Sequence, residues 1–380
     1  MNGVNDVQRI DTLVIGGGQA GLAAGYHLKR RGVPFVILDA DARTGDHWRA
    51  HWDSLRLYSP AMADNLPGMR FPAPSYHYPS GREMGDYLET YAQRFDLPVV
   101  HGTRVDGLRK LPGDDRGFLV SAGDRHYEAS QVVVATGAFN RPRVPAFAAE
   151  LDPSIRQLHS SDYRDPSQLQ PGRVLVVGLS HSGADIAYEA ARSHATLLAG
   201  HARGELPLRV IDTWRARIAL PILLFAARHI LTLRTPIGRA MAPAVRTGGG
   251  PLLRVRSVDL ARVGVERFDQ RVAGTREGKP VLDDGTVLDV ANVVWCTGFA
   301  PDYRWVAVPG FVGADGWPAG RRGVSSAVAG LYFLGIPFTY AFASMLVAGA
   351  GRDAAFVVDR IIDRVRATGR AADLTPATAR

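Results

Sequence analysis

Two glycine-rich segments are the parts of this chain best suited to chemistry. Gly16-Gly17-Gly18-Gln19-Ala20-Gly21 follows a short apolar run, Leu13-Val14-Ile15, and opens a helical pattern from Leu22 to Arg31 that Gly32 stops. Gly16, Gly18 and Gly21 permit a tight turn and close approach of backbone to a pyrophosphate, and the helix N-terminus offers free N–H groups and a positive dipole end. A second apolar strand, Phe35 to Leu38, ends at Asp39, 23 positions after Gly16. A carboxylate there can accept hydrogen bonds from ribose hydroxyls. The second segment, Gly178-Leu179-Ser180-His181-Ser182-Gly183, stands between the strand Val174 to Val177 and a helix from Ala184 to Arg192. Ser180 replaces the middle glycine. The next strand, Thr196 to Ala199, ends without an acid, and His201 and Arg203 follow. An arginine in place of the acid suits the 2′-phosphate of NADP, the other reading being a plain surface arginine. A protein that binds two dinucleotides usually moves hydride between them.

Other chemistries fit less well. Gly178-x-Ser180 begins like the elbow that carries a nucleophilic serine, but Ser182 stands where the elbow needs its second glycine. The 11 histidines are scattered and form no HExxH motif, so no metal is expected. A single cysteine, Cys296, excludes a dithiol centre and an internal disulfide; it lies in an apolar strand and reads as a small buried hydrophobe. The net charge of +8 comes from dispersed arginine with three lysines, Lys29, Lys110 and Lys279. Without a block of like charge, a solvated basic surface is favoured over nucleic-acid binding. No leader and no membrane span are evident, which points to the cytoplasm.

The elements that position these turns repeat one order: strand, glycine turn, helix, short strands, apolar strand, Thr-Gly. From Gly16 to Gly137 is 121 positions, and from Gly178 to Gly298 is 120. Such self-similarity marks a repeated module. The expected fold is α/β, with two Rossmann-like dinucleotide-binding domains, one inserted in the other. Residues 1–165 and 299–380 form the first and residues 166–298 the second, with a helical insertion near 206–250. Five prolines between Ser59 and Ser80 require a long ordered loop, followed by a helix from about Arg82 to Phe95. Asp284-Gly285 marks a hairpin. The stretch from Leu206 to Val245 is apolar and flanked by Arg215, Arg217, Arg228, Arg234 and Arg239. A basic amphipathic pair touching a membrane is one reading. A helical insertion packed on the protein, broken by Pro221 and Pro236, is the favoured one.

As an ordered set, the motifs resemble those of the class B flavin-dependent monooxygenases, especially short bacterial members and the plant indole-pyruvate branch. Beside the two turns, the matching pieces include Gly45-Asp-His-Trp48, Trp52 to Pro60, Tyr78-Pro-Ser80, Ala135-Thr-Gly137, His159 to Tyr163, Cys296-Thr-Gly-Phe299 and Gly330 to Gly335. Pro153 and Ile155 stand where the family fingerprint carries Phe and Gly. The resemblance implies FAD on the first module, NADPH on the second, and oxygenation of a small organic substrate by O₂ through a flavin C4a-hydroperoxide. It implies that Gly16, Gly18, Gln19, Gly21 and Asp39 contact FAD, with Trp48 beside the ring system and the backbone near Val105 beside adenine. Gly178, Ser180, Ser182, Gly183 and Arg203 would take NADPH. Thr136-Gly137 and Thr297-Gly298 would be close-approach and hinge points. Tyr58, Ser59 and Tyr340 are candidates for the substrate pocket. A flavin reductase or oxidase passing electrons to O₂ or a protein partner is the alternative, and a flavoprotein binding module without NADPH turnover is a third reading.

Overall fold

The computed structural model describes residues 7–113, 117–139, 141–205 and 214–368. The apolar runs become the central strands of two sheets. In the first, Val7–Ile15 lies between Phe35–Leu38 and Arg125–Val134, all parallel, with Ile15 opposite both Leu38 and Val134. Val99–Val100 and Leu331–Phe333 extend this parallel row, and Phe118–Ala122 and Gly107–Lys110 continue it antiparallel. Leu13, Val14, Val132 and Val133 are fully buried, as a parallel sheet covered on both faces demands. Val14 and Val133 pack under the helices Gln19–Arg30 and Val347–Ala367, while Leu13 and Val132 pack with Tyr303, Phe311 and Trp317 on the opposite face. Each such side chain stabilises by about 1.5–3 kcal/mol. An exposed pair such as Arg9–Glu128 is worth about 0–1 kcal/mol, so the sheet core holds the module together.

The second sheet has the order Glu266–Phe268, Thr196–Ala199, Val174–Val177, Asn292–Trp295, Arg156–His159, all parallel. Its members lie between those of the first sheet in the chain, so this module is the inserted one. The division expected at 165/166 falls after Arg156–His159, whose register with Asn292–Trp295 makes it the edge of the second sheet. We place the boundary before it, where the chain crosses between modules. There Arg141–Pro142 pairs antiparallel with Phe299–Ala300, and the Arg143 N–H donates to the Gly298 carbonyl at 2.9 Å. The outward and return passages thus form one two-stranded ribbon.

The loop from Ser59 to Ser80 is irregular apart from the 3-10 turn Ala61–Ala63 and a tight turn bridging Leu66 and Met69, and Ser80 at its end is bridged to Arg56. Helix Gly81–Arg94 then starts on a reciprocal cap: the Glu83 N–H donates to Ser80 Oγ at 3.1 Å, and the Ser80 N–H donates to Glu83 Oε2 at 2.7 Å. The turn expected at Asp284-Gly285 is present, and a second hairpin precedes it. Val272–Arg276 and Lys279–Leu282 turn at Glu277-Gly278, and Asp284-Gly285 makes a further turn that brings Val287 back to Val281. Residues 206–213 of the insertion lie outside the described residues. The rest forms helix Trp214–Phe225, a wider turn Ala226–Ile230 and helix Pro236–Thr247. Pro221 does not break the first helix, contrary to expectation. The carbonyl it leaves without a helical donor, that of Arg217, accepts from the Tyr76 hydroxyl at 3.4 Å. Pro236 opens the second helix rather than ending one. Among the described residues no helix is long and apolar enough to cross a membrane, and no group of His, Cys, Asp and Glu is arranged to hold a metal.

Candidate functional site

The first turn is built by close approach. Gly16 adopts φ +110°, and a Cβ there would lie 2.6 Å from the Ala135 carbonyl oxygen. A Cβ on Gly21 would overlap the Gly16 carbonyl, and one on Gly17 would overlap the Asp39 carboxylate. Above Gly18, by contrast, nothing lies within 4 Å. The helix that starts at Gln19 has no side-chain cap and no acid in its first turn, so its leading N–H groups are free to meet an anion. Asp39 is buried at the floor and accepts from the Asp41 N–H at 3.0 Å; burial pushes its carboxyl above the ordinary carboxylate range. Thr103 N–H donates to the Asp39 carbonyl at 2.7 Å, which brings the segment leading to Val105 alongside. Thr136 Oγ1 is buried without a partner, and the Gly137 carbonyl accepts from Tyr303 at 3.2 Å. An open ceiling, uncapped N–H groups and an orphaned hydroxyl fit the diphosphate and ribose of FAD.

Trp48 sits on the short helix Asp46–Arg49, with its indole N–H directed at Gln19 Oε1, 3.4 Å away. Its ring stacks on His51 at 5.6 Å, and burial pushes the His51 imidazole down to about 4. What fixes this helix is a residue the sequence reading missed. Arg49 reaches Asp46 at 3.0 Å, Asp86 at 2.8 Å and Glu89 at 2.7 Å, clamping the Trp48 segment onto helix Gly81–Arg94. Ser59 donates to Asp64 Oδ1 at 2.6 Å. Asp64 is fully buried, its Oδ2 has no partner, and burial pushes its carboxyl up to about 7, so it can hold or release a proton near neutral pH.

The second turn shares the same frame. Gly178 adopts φ +106° against the Cys296 carbonyl, and a Cβ on Gly183 would overlap the Gly178 carbonyl. Gly200, at φ +133°, packs on the turn: a Cβ there would lie 3.3 Å from the Leu179 nitrogen. The ceiling differs. Ser180 donates to the Gly250 carbonyl at 3.1 Å, and the His181 ring nitrogen lies 2.8 Å from the Pro251 carbonyl. A Cβ on Gly249 would lie 2.6 Å from Ser180 Cβ, and one on Gly250 2.9 Å from the His181 ring. Arg203 packs against Gly248 and donates to the Ala244 carbonyl at 3.2 Å. A strap of three glycines therefore lies on Ser180, His181 and Arg203. Helix His181–Ala190, which carries Ser182 in its first turn, also lacks a side-chain cap and an early acid, so the N–H cradle of a dinucleotide is retained beneath the strap.

The two modules meet through a cluster that sequence spacing could not reveal. Tyr58 donates to Asp185 Oδ2 at 3.0 Å, Arg254 Nη2 lies 2.8 Å from the same oxygen, and Arg254 Nη1 donates to the Ser54 carbonyl at 3.1 Å. Burial pushes the Asp185 carboxyl up and the guanidinium pulls it back. The Tyr58 ring packs on His181 with centroids 4.4 Å apart. This cluster flanks a cavity of about 250 Å³ lined by Ser54, Asp185, Glu189, Arg192 and Arg254. Tyr340 lies elsewhere in the contact network, its ring covered by Arg322 at 4.4 Å and Arg352 at 4.5 Å. At the crossing ribbon, Thr297 donates to the Arg143 carbonyl, and His159 Nε2 lies 3.1 Å from the Gly298 carbonyl.

Comparison with known proteins gives a consistent result. The family model described as pyridine nucleotide-disulphide oxidoreductase matches residues 13–205. An uncharacterized CzcO-like oxidoreductase of Geobacillus kaustophilus is 37% identical, over 93% of this chain and 99% of that one. A probable indole-3-pyruvate monooxygenase of Arabidopsis thaliana is 28% identical, over 93% and 86%. Among solved structures, a flavin-containing monooxygenase from Stenotrophomonas maltophilia superposes with a TM-score of 0.75 at 28% identity, over 94% of this chain and 99% of that one.

Proposed function

This chain belongs to the pyridine nucleotide-disulphide oxidoreductase family, and from that premise we propose that it is an FAD-dependent, NADPH-using monooxygenase acting on a small organic substrate with O₂. The observation that carries this reading is the whole-length likeness to a flavin-containing monooxygenase in a chain that keeps both dinucleotide turns. The disulphide half of the family name has no counterpart here. Cys296 is the sole thiol, it is buried, and burial pushes its thiol well above the ordinary range. A reductase, an oxidase or a binding module without turnover is not favoured by these relatives.

When bound, FAD supplies the reduction of O₂ with electrons from NADPH. Everything else falls to the chain. The backbone of Gly16, Gly18 and Gly21 and the N–H groups from Gln19 onward hold the FAD diphosphate, and Asp39 accepts its ribose hydroxyls. The backbone near Val105 borders adenine, and Thr136-Gly137 closes the floor. Trp48, held by Arg49, borders the ring system. Gly178, Ser180, Ser182 and Gly183 hold the nicotinamide dinucleotide, with Arg203 for its 2′-phosphate. Tyr58 and Ser59 contribute to the substrate side, Tyr340 being held apart under Arg322 and Arg352, and Asp64 below Ser59 can exchange a proton near neutral pH. The test is to reduce the purified yellow protein anaerobically with NADPH, admit O₂ and follow the flavin spectrum. A lag before the oxidised spectrum returns supports oxygenation. Immediate reoxidation with stoichiometric hydrogen peroxide, or no reduction by NADPH, overturns it.

A further inference from the structure

The helical insertion inverts the usual relation between apolar residues and burial. Helix Trp214–Phe225 reads Ile218, Leu220, Ile222, Leu223, Leu224 and Phe225 with no polar face after Arg217. A helix that is apolar all round normally belongs in a core or in lipid. This one lies at the surface: Ile222 is 64% exposed and Phe225 59%. Ile230 and Ile237 of the following turn and helix are exposed as well. Among the described residues, half of the large apolar side chains that are exposed fall within residues 218–237. Contiguous exposure on this scale marks an interaction surface.

The insertion does not hang free. The Leu233 N–H donates to the Tyr340 carbonyl at 3.0 Å, the Phe342 N–H to the Leu231 carbonyl at 2.8 Å, and Arg352 Nη1 to the Arg228 carbonyl at 2.6 Å. The apolar side chains are therefore held outward by a fixed frame.

Charge identifies what can cover them. From Thr213 to Val258 the sequence contains eight arginines and no Asp or Glu. Arg217, Arg234 and Arg239 are exposed, and among the described residues none of them pairs with an acid. A second copy docked by two-fold symmetry would set this arginine-rimmed face against itself, with no acid in the stretch to neutralise it. An anionic bilayer supplies both complements at once, phosphate for the guanidinium rim and acyl chains for the isoleucines and Phe225. The helix has 12 residues, about 18 Å at 1.5 Å each, against the roughly 30 Å needed to span, so it suits lying in the interface.

We propose that residues 217–239 are a docking surface by which this protein binds the face of an anionic phospholipid membrane without crossing it. The test floats the FAD-loaded protein with vesicles of phosphatidylcholine alone or mixed with phosphatidylglycerol. Flotation is expected with the anionic vesicles, reduced by salt and by removal of phosphatidylglycerol. Ile222→Asp with Phe225→Asp should lower partition by more than about tenfold, and Arg217→Ser with Arg239→Ser should weaken it while leaving the flavin spectrum and its reduction by NADPH intact. Failure to float with anionic vesicles, or flotation indifferent to the aspartates, overturns the proposal. So does a dimer that Ile222→Asp dissolves, which would assign the face to a second copy. None of these readouts depends on oxygenation, so the result stands apart from the proposed activity.

Discussion

The two glycine turns are the same device under different ceilings. Each has a first glycine at positive φ against a carbonyl of the neighbouring strand, and each has a last glycine that admits no Cβ beneath the first. Over the first turn the space above Gly18 is empty for 4 Å, and a buried acid closes the floor. Over the second, Ser180 and His181 are engaged by the strap at 248–250, and the strand ends in Ala199-Gly200 without an acid. The frame is thus set by backbone sterics alone, whereas access is set by what the rest of the chain lays on top. The first turn is shaped for a group that stays. The second is shaped for one that must compete with the protein's own carbonyls each time it enters.

The largest effects should come from the shared frame. Gly21→Ala forces its methyl into the Gly16 carbonyl, at a cost of about 3 kcal/mol or about a hundredfold in flavin affinity, so the protein should purify largely colourless. The matching Gly183→Ala should leave the flavin bound and abolish its reduction by NADPH; loss of the flavin there would break the comparison by showing that the turns are not independent. Asp39→Asn comes next, weakening FAD by about ten- to a hundredfold through the loss of a charged acceptor. It also has a pH signature. Burial raises the Asp39 carboxyl, so its contribution to the stability of the FAD-free protein is present at acid pH and lost as pH rises through its folded-state value. Asparagine has nothing to ionise, so the variant stripped of FAD should melt higher than the parent toward neutral pH; an unchanged difference across the pH range would contradict this. The smallest effect isolates the strap. Ser180→Gly removes the donor to the Gly250 carbonyl and should tighten NADPH by about three- to tenfold in titrations of the oxidised protein. Unchanged affinity would mean that the strap does not compete.

What was legible in the sequence was what is local. A glycine turn between a β-branched run and a helix can be read because its constraints are met within about six residues, and the sheets form around those runs. The strand Arg156–His159 was not readable, since Arg-Gln-Leu-His has no apolar alternation and is a strand only because Asn292–Trp295 presents an open edge. The Arg49 clamp, the Tyr58–Asp185–Arg254 junction and the glycine strap join positions tens to hundreds of residues apart, which no spacing rule connects. The insertion is helical and fixed on the protein as expected, through Leu231, Leu233 and Arg228. Which of its apolar side chains stay exposed was not readable, because composition does not say which surface an apolar side chain faces.

The crossing ribbon carries a consequence for how such a protein can be assembled. Because the Arg143 N–H and the Gly298 carbonyl are hydrogen-bonded neighbours, the second module enters and leaves the first at a single point. In terms of gene architecture it is a cassette with touching ends. A splice across that point leaves no gap to bridge, and a different cassette with the same narrow footing can occupy the place without disturbing the sheet that receives it.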